Sequence, residues 1–218
     1  IFYSSLPFSL TSGQISAINK ISNSIRDKRP SKVLIQGDVG CGKTIVAIIA
    51  CYQALKNNHQ CLVLVPTEVL CSQHFKTFTE YLCNYGMVEM ISGKNTKAEK
   101  ESIKSKLYDG QISVLIGTHA LLFNDYKFRS LAIVIIDEQH KFGIKQREKI
   151  SSDYQKQPHL IYMSATPIPR TLALVLYENM NYITIPDKPS NRDITKTIVY
   201  DDKSRKKIYD SVAKHLQD

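Results

Sequence analysis

The chain has 218 residues, of which 43% are hydrophobic and 22% charged, with 9 Gly and 8 Pro. This is the composition of a globular protein and excludes collagenous, low-complexity and disordered classes. Its apolar runs, such as Leu131 to Ile136, fall far short of the roughly 20 residues of a membrane-spanning helix. Lys and Arg number 29 against 20 Asp and Glu, a formal net charge of +9 that invites a polyanionic partner without naming one.

In chain order, Thr11 to Gln14 fits a capping box, and Ile18, Ile21 and Ile25 then fall on one helical face before Arg29-Pro30-Ser31 ends the helix. Short, continuous apolar runs follow at Val33 to Ile35, Cys61 to Val65, Val114 to Ile116, Leu131 to Ile136 and Leu160 to Met163. Because they do not alternate with polar residues, they read as strands covered on both faces, the habit of parallel sheets. Helical stretches at Lys43 to Lys56, Val69 to Tyr85, Thr96 to Asp109 and Pro169 to Glu178 supply the crossovers. The class is therefore α/β, a parallel sheet flanked by helices.

The segment Ile185-Pro186-Asp187-Lys188-Pro189-Ser190-Asn191 is a Pro-rich polar break. Beyond it the pattern predicts a strand at Thr195 to Tyr200 and an amphipathic helix carrying Ile208, Val212 and Leu216. The expected organisation is an N-terminal helical segment (1–30), an α/β lobe (31–185), a linker (186–194) and the beginning of a second domain (195–218). Cys41, Cys51, Cys61, Cys71 and Cys83 form no C-x-x-C pair and lack His at zinc-ligand spacing, so they read as free thiols of a reducing cytoplasm.

The strongest chemical signal is Gly37-Asp38-Val39-Gly40-Cys41-Gly42-Lys43-Thr44, a complete G-x-x-x-x-G-K-T that follows a strand and opens a helix. Glycines at this spacing let backbone N–H groups converge on phosphate oxygens. Lys43 reaches the β- and γ-phosphates, Thr44 ligates Mg²⁺, and the helix N-terminus adds its dipole. A matching acidic pair, Asp137-Glu138, ends the apolar run Leu131 to Ile136. In a parallel sheet ligands bind at the carboxyl ends of the strands, so Asp137 suits the Mg²⁺ shell and Glu138 the activation of a water. The pattern thus points to an NTPase with ATP and Mg²⁺ as cofactors.

The segment Asp137-Glu138-Gln139-His140-Lys141-Phe142-Gly143-Ile144-Lys145-Gln146-Arg147 resembles the Walker B segment of the RecG family of bacterial branched-DNA helicases, within superfamily 2. Gly37 to Thr44, Pro66-Thr67-Glu68-Val69-Leu70 with Gln73-His74, Ile116 to Leu122, and Met163 to Thr171 are similar to the successive motifs of that family. The resemblance runs from about Leu6 to the end. The Mfd translocases are the nearest competitor; their motor is similar but has Glu where this chain has Gln139, and Thr67-Glu68 also favours the RecG family.

The resemblance implies a RecA-like first motor lobe that binds ATP and acts on branched or forked DNA in recombination and repair, in a bacterial cytoplasm. It makes Leu6 to Thr11 with Gln14 a Q motif contacting adenine, although Gln14 could equally serve only the capping box. It makes Ser164-Ala165-Thr166, with His140, a relay between nucleotide and DNA, where a plain strand-to-helix turn is the other reading. DNA-backbone contacts are implied at Pro66 and Thr67, at Ser92-Gly93-Lys94, and at Gly117-Thr118-His119. The five Lys and two Glu of Lys94 to Lys106 read as a solvated helix face or as a DNA patch.

Two departures stand out. Cys41 occupies a position where such motors usually have Ser. The wedge domain and the second motor lobe, which contributes arginines to hydrolysis, are expected in the parent protein rather than here, so this chain alone is expected to bind ATP better than it hydrolyses it. The alternatives are an Mfd-like translocase lobe, or a module that binds nucleotide or DNA without turnover.

Overall fold

In the computed structural model, residues 2–26, 29–118, 121, 126–138, 157–166, 180–187, 199, 201 and 204–215 are described. A short turn of 3-10 helix, Tyr3–Ser5, precedes α1 (Ser12–Arg26), β1 (Lys32–Gly37), α2 (Lys43–Leu55), β2 (Gln60–Val65), α3 (Glu68–Leu82) and β3 (Met87–Ile91). Then come α4 (Lys97–Tyr108), β4 (Ile112–Thr118), β5 (Leu131–Asp137), β6 (His159–Ser164), β7 (Met180–Ile185) and α5 (Arg205–His215). The expected helix at Pro169 to Glu178, the expected strand at Thr195 to Tyr200 apart from Val199, and Leu216 lie outside the described residues.

The seven strands form one sheet in the order β3-β4-β2-β5-β6-β1-β7, and every pair is parallel. This is the RecA-like arrangement implied by the resemblance. The period of two along a strand divides each apolar run between two cores. Val33, Ile35, Val63, Ile116, Ile133 and Ile135 face a core shared with α1, α2 and α3. Leu34, Leu64, Leu115, Val134 and Ile136 face another, which α4 closes with Ile103 and Leu107.

Local chemistry sets the helix ends. Thr11 and Gln14 exchange the two capping bonds, Gln14 N to Thr11 Oγ1 at 3.2 Å and Thr11 N to Gln14 Oε1 at 2.9 Å. Thr96 and Glu99 form a second capping box at the start of α4, and the Thr96 N–H holds the exposed Glu99 carboxyl below its ordinary pKa, helped by Asn95. At the amino end of the sheet, buried Gln60 donates to the carbonyls of Leu107 and Ile112 and accepts from Ser130 N. These bonds lock α4, β4 and β5 to the start of β2.

The two edge strands, β3 and β7, carry no continuous apolar run; Glu89, Asn181 and Thr184 interrupt them. Pairing with β4 and β1, rather than burial of both faces, makes them strands. Ile185, at the start of the polar break, closes β7 and is buried. Asp187 is tied back to α1: its Oδ2 accepts from Ser12 Oγ at 2.9 Å and from Gly13 N at 2.7 Å. A Cβ at Gly13 would lie 2.8 Å from that oxygen and 3.1 Å from Pro186 Cδ, so the carboxylate would have to shift to admit one.

Candidate nucleotide and nucleic-acid site

Parallel strands bring all their carboxyl ends to one edge, where ligands of α/β sheets bind. That edge divides into two halves. The neighbours β5, β6 and β1 end in Asp137-Glu138, in Ser164-Ala165-Thr166 and in the glycine loop. The neighbours β3, β4 and β2 end near Gly93, in Thr118, and before Pro66-Thr67. The described residues assigned from sequence to nucleotide thus gather on one half, and the described ones assigned to DNA on the other.

The glycine loop leaves β1 at Gly37 and enters α2 at Lys43. Gly40 and Gly42 have φ of 78° and 85°, a left-handed backbone that glycine adopts freely and that turns successive N–H groups inward. Gly42 caps α2, and a Cβ there would collide with Gln14 Nε2. The Cys41 side chain is buried, and its Sγ fills the space a Cβ would take at Gly37; a thiol therefore fits the loop. Lys43 Nζ donates to the carbonyls of Gly37 (2.7 Å) and Asp38 (3.1 Å), which holds the ammonium across the loop. Asp38 Oδ1 accepts from Val39 N at 2.7 Å. Thr44 is half-buried in the first turn of α2.

At the end of β5, Asp137 Oδ1 accepts from Glu138 N at 3.0 Å. Glu138 has φ of 51°, a conformation that is uncommon for a non-glycine residue and concentrates at functional sites. The turn re-aims the chain immediately after the strand. Asp137 Oδ2 lies 3.0 Å from Nε2 of His74, on α3. Between these carboxylates and the glycine loop sits β6. Its Ser164 is fully buried, with Oγ 3.0 Å from Thr166 Oγ1 and accepting from Thr166 N at 3.3 Å. Gln36, one residue before the loop, donates to Thr166 O at 3.1 Å. It joins the end of β1 to the Ser-Ala-Thr turn. A polar residue closing the apolar run Val33 to Ile35 was the available signal for Gln36.

Gln14 serves the capping box and the loop together. While Oε1 caps α1, Nε2 donates to Cys41 O at 2.9 Å, and the side chain is buried. A cavity of about 780 Å³ is lined by Leu6 to Leu10, part of the stretch matched to the Q motif, with Tyr3, Ile15, Ile18 and Asn19; Gln14 does not line it.

On the other half, Thr67 caps α3 by accepting from Leu70 N at 3.3 Å, and Pro66 precedes it. Glu68 Oε1 accepts from Gly93 N at 2.8 Å, stapling the first turn of α3 to the loop after β3. Nothing in the spacing of these residues signalled that bond. Gly117 is buried, and a Cβ there would meet Leu121 and, at 2.9 Å, Ile91; its place in the motif is one of packing. Thr118 is half-buried. On α4, Lys97, Glu99 and Glu101 are exposed, and Lys104 pairs with Glu101 at 2.9 Å. His119, Gln139 and His140 lie outside the described residues.

The site's residues fit Mg-nucleotide. Among the described residues no group of three His, Cys, Asp or Glu could cage a metal ion. Mg²⁺ in nucleotide sites takes one or two protein oxygens and completes its octahedron with phosphates and water. Thr44 and Asp137 offer such hard oxygens. The five cysteines are free, with only Cys83 exposed, and burial followed by the nearby Glu68 pushes the Cys71 thiol up to about 11. No helix among the described residues is long and apolar enough to cross a membrane.

Comparison with known proteins gives a consistent result. Residues 11–175 match the DEAD/DEAH box helicase family. The chain is 42% identical over 214 residues to the ATP-dependent DNA helicase RecG of Aquifex aeolicus, covering 97% of this chain and 27% of that protein. It is 40% identical to the Thermotoga maritima RecG, covering 99% and 28%. A structure of RecG bound to a three-way DNA junction superposes with a TM-score of 0.88 at 37% identity, covering 99% of this chain and 29% of that one. The chain thus spans little more than a quarter of the length of the curated relatives it matches.

Proposed function

The chain belongs to the DEAD/DEAH box helicase family, and from that premise we propose that it is the first motor lobe of a RecG-like helicase, binding Mg-ATP and remodelling branched or forked DNA in recombination and repair. The observation that carries this reading is the divided sheet edge. One contiguous row of strand ends bears the glycine loop, the acidic pair and the Ser-Ala-Thr turn; the adjoining row bears the hydroxyl and backbone groups of Pro66, Thr67, Gly93 and Thr118. The boundaries proposed are a Q-motif helix (1–30), the lobe (31–185), a linker (186–194) and the start of a second lobe (195–218). The proposed setting is the bacterial cytoplasm.

In this reading Gly37, Asp38, Gly40, Cys41 and Gly42 cradle the phosphates, and Lys43 exchanges two neutral carbonyls for charged phosphate oxygens, a stronger kind of hydrogen bond. Thr44 and Asp137 hold the magnesium, which when bound spreads the phosphate charge. Glu138 accepts the proton of the attacking water. Gln14 sets the loop and meets the adenine. Ser164 and Thr166, with His140, pass the nucleotide state across β6 toward the DNA half. Thr67, Gly93, Thr118 and His119 hold backbone phosphates without reading bases. Arginines of a second lobe complete the transition-state charge, worth roughly 10³ to 10⁵ in rate in comparable NTPases.

Titration with a fluorescent ATP analogue tests the nucleotide half. Lys43→Ala removes a charge-assisted contact and should weaken binding about 10- to 100-fold; equal affinity would remove the site. Titration of single-stranded and forked DNA at several salt concentrations tests the other half. Affinity should fall steeply with salt and little with base sequence, and a flat salt response would mean that the +9 charge serves no DNA contact.

A further inference from the structure

We infer that His74 is a positioning residue that fixes the orientation in which the Asp137 carboxylate handles the nucleotide's magnesium. The inference rests on the reading of Asp137 given above and adds a residue to it.

The position of His74 is that of a core residue. Cys71, His74, Phe78 and Leu82 are the buried residues of α3, spaced so that they form one stripe along the helix and face the sheet. A packing role alone is best served there by an aliphatic side chain like Leu82. Instead the stripe carries an imidazole whose residue is only 5% exposed. Its Nδ1 is buried with no hydrogen-bond partner among the described residues, an arrangement that costs free energy. Its Nε2 is spent on a single group, Asp137 Oδ2, at 3.0 Å. An ionised carboxylate only accepts, so Nε2 carries the proton of that bond.

The bond leaves the carboxylate little rotational freedom. With Oδ1 held by Glu138 N at 3.0 Å and Oδ2 held by His74, the plane of the group is fixed from both sides. Each oxygen keeps a lone pair that a bound magnesium could use. Orienting partners of this kind typically change metal affinity by 10- to 100-fold when removed. The placement is also particular. α3 grows out of β2, the strand at the margin of the DNA half, whereas Asp137 ends β5, the neighbouring strand at the margin of the nucleotide half. His74 is a side chain that spans this boundary, in a helix capped by Thr67 and stapled to Gly93 by Glu68.

The test compares His74→Met and His74→Gln, side chains of similar length of which only Gln can donate to Asp137. Binding of the fluorescent ATP analogue is measured across a magnesium titration and again in EDTA, with thermal unfolding recorded for each variant. His74→Met should raise the half-saturating magnesium concentration about tenfold and leave the affinity in EDTA unchanged; His74→Gln should return most of the loss. An unchanged magnesium requirement in His74→Met, beside a clear loss in Asp137→Asn, would overturn the inference and leave His74 a core residue. If Asp137→Asn itself leaves the requirement unchanged, the magnesium reading of Asp137 fails and His74 falls with it. Should His74→Met not fold, His74→Gln against His74→Phe decides by the same criterion.

Discussion

Gln14→Glu separates the two tasks of one side chain. The change keeps an oxygen where Oε1 accepts from Thr11 N, so the cap of α1 survives. It replaces the Nε2 donor, 2.9 Å from Cys41 O, with an oxygen facing a carbonyl inside a pocket where Gln14 is 3% exposed. Losing that buried bond costs about 1 kcal/mol, and confronting two acceptors there costs about 2 kcal/mol more when the carboxyl is ionised. Both effects disfavour the ionised form, so the folded-state pKa of the new carboxyl is raised above its unfolded value. The sign follows from linkage. A raised folded pKa gives stability that is fully present below the unfolded value, ~4.3 for a glutamate, and is lost as pH rises through the folded one, because the protonated acid can donate O–H to Cys41 O. Urea unfolding of both proteins should show a deficit that is small at pH 4 and grows to about 3 kcal/mol at pH 8. Affinity for the ATP analogue should weaken at the higher pH, since the braced loop loses its support. A deficit that does not change between the two pH values would refute the Gln14–Cys41 link.

In a longer chain carrying the second lobe, Glu138→Gln should reduce DNA-stimulated ATP hydrolysis by roughly 10²- to 10⁴-fold while sparing nucleotide binding; a rate within a few-fold of the parent would exclude Glu138 as the base. In native protein a maleimide should label Cys83 first, since Cys41, Cys51, Cys61 and Cys71 are buried; peptide mass spectrometry showing early labelling of Cys41 would contradict its packing against Gly37. Gly117→Ala should destabilise the lobe by about 1 to 3 kcal/mol, because its Cβ would press on buried Ile91 and Leu121. Unfolding at an unchanged urea midpoint would show that this corner can relax.

The elements that the amino-acid sequence determines here are those whose cause is local. The capping pair Thr11 and Gln14, the glycine loop with its helix, and the interior strands β1, β2, β4, β5 and β6 each announce themselves within a few residues. Interior strands are buried on both faces, so their central positions are apolar and polar residues such as Gln36, Gln60 and Ser164 stand at or near their ends; the run is visible without knowing its neighbours. The edge strands β3 and β7 escape that logic. Among the described residues one side of each has no partner strand, polar residues such as Glu89 and Asn181 are tolerated there, and only hydrogen bonding to β4 and β1 defines them. The chemistry divides in the same way. Asp137 and Glu138 could be read because a strand end fixes where they stand. The partners Gln36 with Thr166, Glu68 with Gly93, Asp187 with Gly13, and His74 with Asp137 lie 130, 25, 174 and 63 residues apart. No periodicity relates such residues; the order in which strands join the sheet decides which of them meet.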